Sequence, residues 1–197
     1  MSITAEKIEN LVALLSSMRD LLTLIAEGLI EFEKILDAEE YAIQKSDLKT
    51  IEKIVPEKER LGSQIAKTIQ QLHQNLELSF REGLLCRRQE SKSHIELTDL
   101  IEALKLIEDT MDRSDLASQV ILHLSPKIQK TALEVISLRM KLQPKIEANS
   151  YLVRRLLSHH QETYRFWQSL ISEAESVYSS YGKTKSLKSQ SILEVKT

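Results

Sequence analysis

Apolar residues recur along the N-terminal part of the chain with a period of seven. Ile8, Leu15, Leu22, Leu29, Leu36 and Ile43 form one row. Leu11, Met18, Ile25 and Phe32 form a companion row, which Glu39 breaks. Two such rows are the a and d positions of a heptad. The spacing predicts a helix over about 4–45, roughly 60 Å long at ~1.5 Å per residue. Its seam needs a partner helix, because a helix of this kind is stabilised by packing rather than by propensity.

Ser46-Asp47 supplies a cap and a break, and a second apolar stripe follows: Ile51, Val55, Leu61, Ile65, Ile69, Leu72, Leu76 and Phe80. It predicts a helix over about 48–85, kinked or started late by Pro56. The short connection predicts an antiparallel hairpin with the first helix. Residues 86–95, CRRQESKSHI, read as a loop. Thr98 is the expected N-cap of a shorter helix whose apolar face is Leu100, Ile101, Leu104 and Ile107. Ser114-Asp115 opens another short helix, to about 124. Ser125-Pro126 reads as an N-cap with proline at the first helical position, so a new helix is expected from 126. Pro144 kinks or interrupts that helix, which reaches about Val177. Gly182 terminates it, and the polar, Lys-rich 183–197 is expected to be a mobile tail.

The last helix carries apolar residues in more rows than one neighbour could cover. Indexed by sevens, its rows are Ile146, Val153, His160, Trp167, Ala174; Leu142, Leu156, Thr163, Leu170, Val177; Leu157, Tyr164, Ile171, Tyr178; and Leu138, Leu152, His159, Phe166. A two-stranded seam needs two rows and a globular helix about three. Either the helix lies at the centre of a bundle, or part of its face is kept for another protein. Aromatic residues at helical spacing are more often core than site, while aromatic and arginine side chains are also enriched at interfaces, where they give large contact area at low entropic cost. Tyr151, Leu152, Leu156, His159, Phe166, Trp167 and Leu170 are the candidate partner-binding residues. Arg154 and Arg155 flank them, and Tyr151, Phe166 and Tyr178 stand at the margins.

Composition narrows the fold class to all-α: a long antiparallel helical hairpin or coiled coil extended into a bundle, one elongated unit over 1–182. Four glycines and three prolines in 197 residues leave few turns, and nine aromatic residues leave few strand formers. The net charge of −2 gives no nucleic-acid footprint, and the basic clusters Arg87-Arg88 and Arg154-Arg155 lie apart. No apolar run approaches the ~20 residues that span a bilayer, so no stable membrane insertion is expected. The opening MSITAEKIEN lacks a basic stretch followed by an apolar run. The lone Cys86 cannot close an internal disulfide, and a cytoplasmic protein is the expectation. Catalytic chemistry finds no support. The glycines are scattered, no Cys-x-x-Cys occurs, and none of the five histidines has Glu three residues before it. His159 and His160 point about 100° apart on a helix, which rules out joint chelation from one face. No enzyme, metal or cofactor is expected.

The C-terminal third, IEANSYLVRRLLSHHQETYRFWQSLISEAESVYSSYGKTKS, resembles the FlgN family of flagellar type III export chaperones. Asn149 stands at the family asparagine, and Tyr178 and Gly182 match its Tyr-x-x-x-Gly. Glu57-Lys58, within DAEEYAIQKSDLKTIEKIVPEKERL, match a Glu-Lys of the second helix. Ser150 replaces a glycine frequent in the family, and the stretch 86–125 is surplus. The resemblance implies binding of hook-filament junction proteins of the FlgK and FlgL types and delivery of them to the export gate. It adds Asn149 to the client-binding set. It implies docking of Tyr178, with Gly182, to the cytoplasmic domain of the export-gate protein. A monomer or weak homodimer is expected. The competing expectation is a structural coiled-coil scaffold that self-associates through the seam over 8–43.

Overall fold

The structure, a computed structural model, describes residues 5–86, 95–111 and 116–179, with side chains for 7–86, 95–111 and 118–172. It is all-helical among the described residues: α1 (Ala5–Gln44), α2 (Leu48–Arg81), α3 (Leu97–Thr110) and α4 (Leu116–Ser179). The chain forms two compact units, Met1–Leu152 and Val153–Thr197. The tail 183–197 lies outside the described residues.

In the first unit, the heptad of α1 is the core. Leu11, Leu15, Met18, Leu22, Ile25, Leu29 and Leu36 are buried against α2, α3 and α4. The seam expected to drive self-association is therefore filled by this same chain. Ser46, at φ 52, and Asp47 turn the backbone between α1 and α2. The Asp47 carboxylate caps α2, accepting from the N–H and the hydroxyl of Thr50. Those bonds, the Thr50 hydroxyl first, hold its pKa below the usual carboxylate value. The hairpin is antiparallel. Asn75 bonds Ser17, Gly62 faces Phe32, and Gly28 approaches Ile65 so closely that a Cβ would stand 2.9 Å from its Cγ1.

α2 ends earlier than the stripe predicted, at Arg81. Gly83 adopts φ +67, and the Leu84 N–H bonds the Ser79 carbonyl at 2.9 Å while the Gly83 N–H bonds that of Phe80. This glycine-closed ending satisfies the last carbonyls and tucks Leu85 into the core.

Two expectations are corrected. The N-cap of α3 is Glu96, not Thr98, because the Asp99 carboxylate accepts from the Glu96 N–H at 2.8 Å and fixes the turn two residues earlier. No helix begins at Pro126: α4 runs through both Pro126 and Pro144. The buried stripe Ser118, Ile121, Ser125, Ile128, Ala132 and Val135 keeps helical spacing across Pro126. Each proline costs one helical hydrogen bond, and all three prolines sit on exposed faces. Pro56, likewise, lies inside α2. Ser114-Asp115 lies outside the described residues.

Within the first unit α4 runs parallel to α1. Lys141 pairs with Glu33 at 2.6 Å and Lys145 with Asp37, both partners advancing by four. The hydrogen bond to Asp37 raises the Lys145 pKa above its usual value. α3 lies antiparallel to α4: Glu108 accepts from Gln129 near one end, and Leu97 and Thr98 lie with Val135 and Ile136 at the other.

Candidate functional site

Two of the residues matched to the FlgN pattern meet at one buried acid in the first unit. Glu39 stands where the heptad of α1 calls for an apolar residue, yet only 1% of it is exposed. One carboxylate oxygen takes the Lys58 ammonium from α2. The other accepts from the Asn149 amide of α4 at 3.2 Å, and the same amide donates to the Leu36 carbonyl at 2.9 Å. A buried charge needs such partners to be tolerated. Asn149 is 2% exposed, so its side chain is part of the bundle and presents nothing to a client. This is a correction to its place among the client-binding residues.

Beyond Asn149 the character of α4 changes. Tyr151 is 61% exposed, and from Leu157 to Ser172 every described side chain is exposed. Leu152 and Leu170 are exposed to a lesser degree, and Leu156 is half-buried. Phe166 and Trp167 are each 58% exposed, packed only edge to face on one another with ring centroids 6.0 Å apart. His159 and His160 are exposed, with rings tilted at 6.3 Å.

Along this stretch polar side chains bond within their own helix. Hydroxyls at Thr163, Ser169 and Ser172 bond carbonyls of their own helix, those of His159, Phe166 and Ser169. Ser158 reaches Glu162 one turn on. Polar groups are thus satisfied within the element.

Around the helix, the four heptad rows headed by Leu152, Leu156, Val153 and Leu157 are adjacent. They merge into one apolar arc of about half the circumference. Arg154 borders one edge, Arg155 the other, and Arg165 lies on the polar side. The arc is wider than the sequence-predicted set, since it also takes in Leu157, Tyr164 and Ile171, each more than half exposed or at half. Their signal was the third row, which stands beside the Trp167 row. The arrangement offers rings and branched side chains to a partner, with His159, His160 and Thr163 in the same rows. Among the described residues no three His, Cys, Asp or Glu gather as metal ligands, and no helix is long and apolar enough to cross a membrane.

A cleft of the first unit, about 370 Å³ and lined by Ile25, Leu72, Leu76, Val135 and Ile136, holds none of the predicted site residues. The Tyr178 side chain and Gly182 lie outside the described residues. No family model, no curated protein and no solved structure matches the chain.

Proposed function

We propose that this chain is a cytoplasmic export chaperone of the FlgN type. It lays the apolar stripe of a hook-filament junction protein's terminal helix along the exposed arc of α4. One observation carries the reading: Tyr151, Leu157, Tyr164, Phe166, Trp167 and Ile171 stand open to water along α4 among the described residues. Burying one such side chain is worth roughly 1.5–3 kcal/mol, so several together drive association even after the ordering of the client is met. Helix-in-groove recognition of this sort needs no chemistry and no cofactor. Coupled folding of the client lowers net affinity, which suits a partner that must be released. Tyr178 and Gly182 take the export-gate docking role that the resemblance implies.

Trp167 is the only tryptophan, so its emission reports on the arc directly. Co-expression with a junction protein of the FlgK type should yield a soluble complex with blue-shifted emission. Trp167→Ala should weaken the complex by about thirtyfold, the equivalent of ~2 kcal/mol, with an unchanged circular dichroism spectrum. Two folded partners that fail to co-purify would overturn the proposal.

A further inference from the structure

α3 is the short helix of the first unit, and its start leaves a step between α2 and α4. Its first turn, Leu97 and Thr98, stands beside Val135 and Ile136, and α4 runs on past that point. The step is the cleft of about 370 Å³. Its lining includes Ile25 of α1, Leu72 and Leu76 of α2 and Val135 of α4, each at most 3% exposed. Small-molecule sites between the helices of a bundle are of this kind, mostly apolar and about 300–1,000 Å³ in volume. The apolar lining is aliphatic, with no Phe, Tyr or Trp, so it offers a chain dispersion contacts along its length and a ring nothing to stack on.

The polar groups at the cleft are unequally engaged. Glu96 belongs to the cap of α3 and accepts from the Thr98 hydroxyl at 3.3 Å. His73 meets Glu77 at 3.4 Å. Arg139 is exposed and lies one turn beyond Val135 and Ile136. The residues three and four away from it on α4, Val135, Ile136, Leu142 and Gln143, include no acid. Among the described residues it has no ion-pair partner. A guanidinium takes a carboxylate through two parallel hydrogen bonds, and its own methylene stem can lie along the apolar wall.

We propose that this cleft binds a single-chain aliphatic carboxylate. Its chain lies against Ile25, Leu72, Leu76 and Val135, and its head group is held by Arg139. None of the client-binding residues lines the cleft, so the inference does not rest on the chaperone reading.

Calorimetric titration of the full chain with decanoate tests it. The expected result is one bound molecule per chain. Each methylene removed from the ligand should weaken binding about fourfold, the equivalent of ~0.8 kcal/mol. Arg139→Gln should weaken decanoate about fivefold and leave decanol unchanged, because only the charged head loses its partner. Ile136→Trp fills the cleft from α4 and should abolish binding, with helicity checked by circular dichroism. Ile69→Trp fills it from α2 and serves if the first variant does not fold. Trp167→Ser should bind decanoate as wild type does. A chain that takes up no decanoate overturns the proposal. So does binding that survives a folded cleft-filling variant, or that is lost with Trp167→Ser, since the ligand then sits elsewhere. Equal loss of decanoate and decanol in Arg139→Gln overturns the head-group assignment. Client capture is scored separately by co-purification, so either idea can fail alone.

Discussion

Glu39 interrupts the apolar row of α1 at a position that is nonetheless buried, and the reason lies in two residues far away in sequence. Lys58 and Asn149 each bring a donor to its carboxylate, one from α2 and one from α4. A polar residue at a core position costs stability and gives register in return. Here it fixes how far α2 and α4 slide along α1, because a shift of one turn would leave the acid without partners. Asn149→Ala removes the bonds to both Leu36 and Glu39. It should destabilise the chain by about 1–3 kcal/mol, read from urea unfolding followed by circular dichroism. Its effect on association through the exposed arc should be nil, because the amide points into the bundle. An Asn149→Ala variant that unfolds like wild type yet binds poorly would return this residue to the recognition face.

At the scale of the element, the two glycines of the hairpin oppose each other in sign. Gly62 lies in α2 with Phe32 Cε2 3.7 Å from where a Cβ would sit, an ordinary contact. Gly62→Ala should therefore keep the gain in helix propensity, about 1 kcal/mol, and raise Tm. Gly28 lies in α1 with the buried Ile65 only 2.9 Å from the added carbon. Overpacking costs about 1–3 kcal/mol, which exceeds the propensity gain, so Gly28→Ala should lower Tm. The same contrast shows what the sequence could convey. The heptad of α1 and the cap at Asp47 were legible because each is a local pattern with a local cause. Pro126 misled because Ser-Pro looks the same at a helix start as inside one. The stripe from Ser118 to Val135, which settles the matter, was readable only by carrying the helical period across the proline. The start of α3 was misplaced for a similar reason: Thr98 is the better isolated cap, but Glu96 and Asp99 cap reciprocally. The Glu39 network was out of reach, since nothing local tells an acid that breaks a seam from one that completes it. The exposed arc was the reverse case. Its excess of apolar rows was plain in the sequence, and its exposure followed once α1, α2 and α3 had covered one another and the first part of α4.

For the whole molecule, the division into two units sets different fates for amides of one helix. Residues of α4 up to about Asn149 hold a buried stripe, so their backbone opens only with the first unit. Residues 153–172 have helical hydrogen bonds but little tertiary burial, and a helix in that condition is marginal in water. Hydrogen exchange on the full chain should therefore show slow exchange across α1 and residues 118–149. Exchange should be faster by orders of magnitude across 153–172, where opening costs only local unwinding. Adding a junction protein to dilute chain should slow exchange in 153–172 alone if a client covers the arc. The first unit acts as internal control, since its protection must stay constant in the titration. Strong protection of 153–172 in dilute, client-free protein would mean that the arc is already covered, and a client would then have no face to occupy.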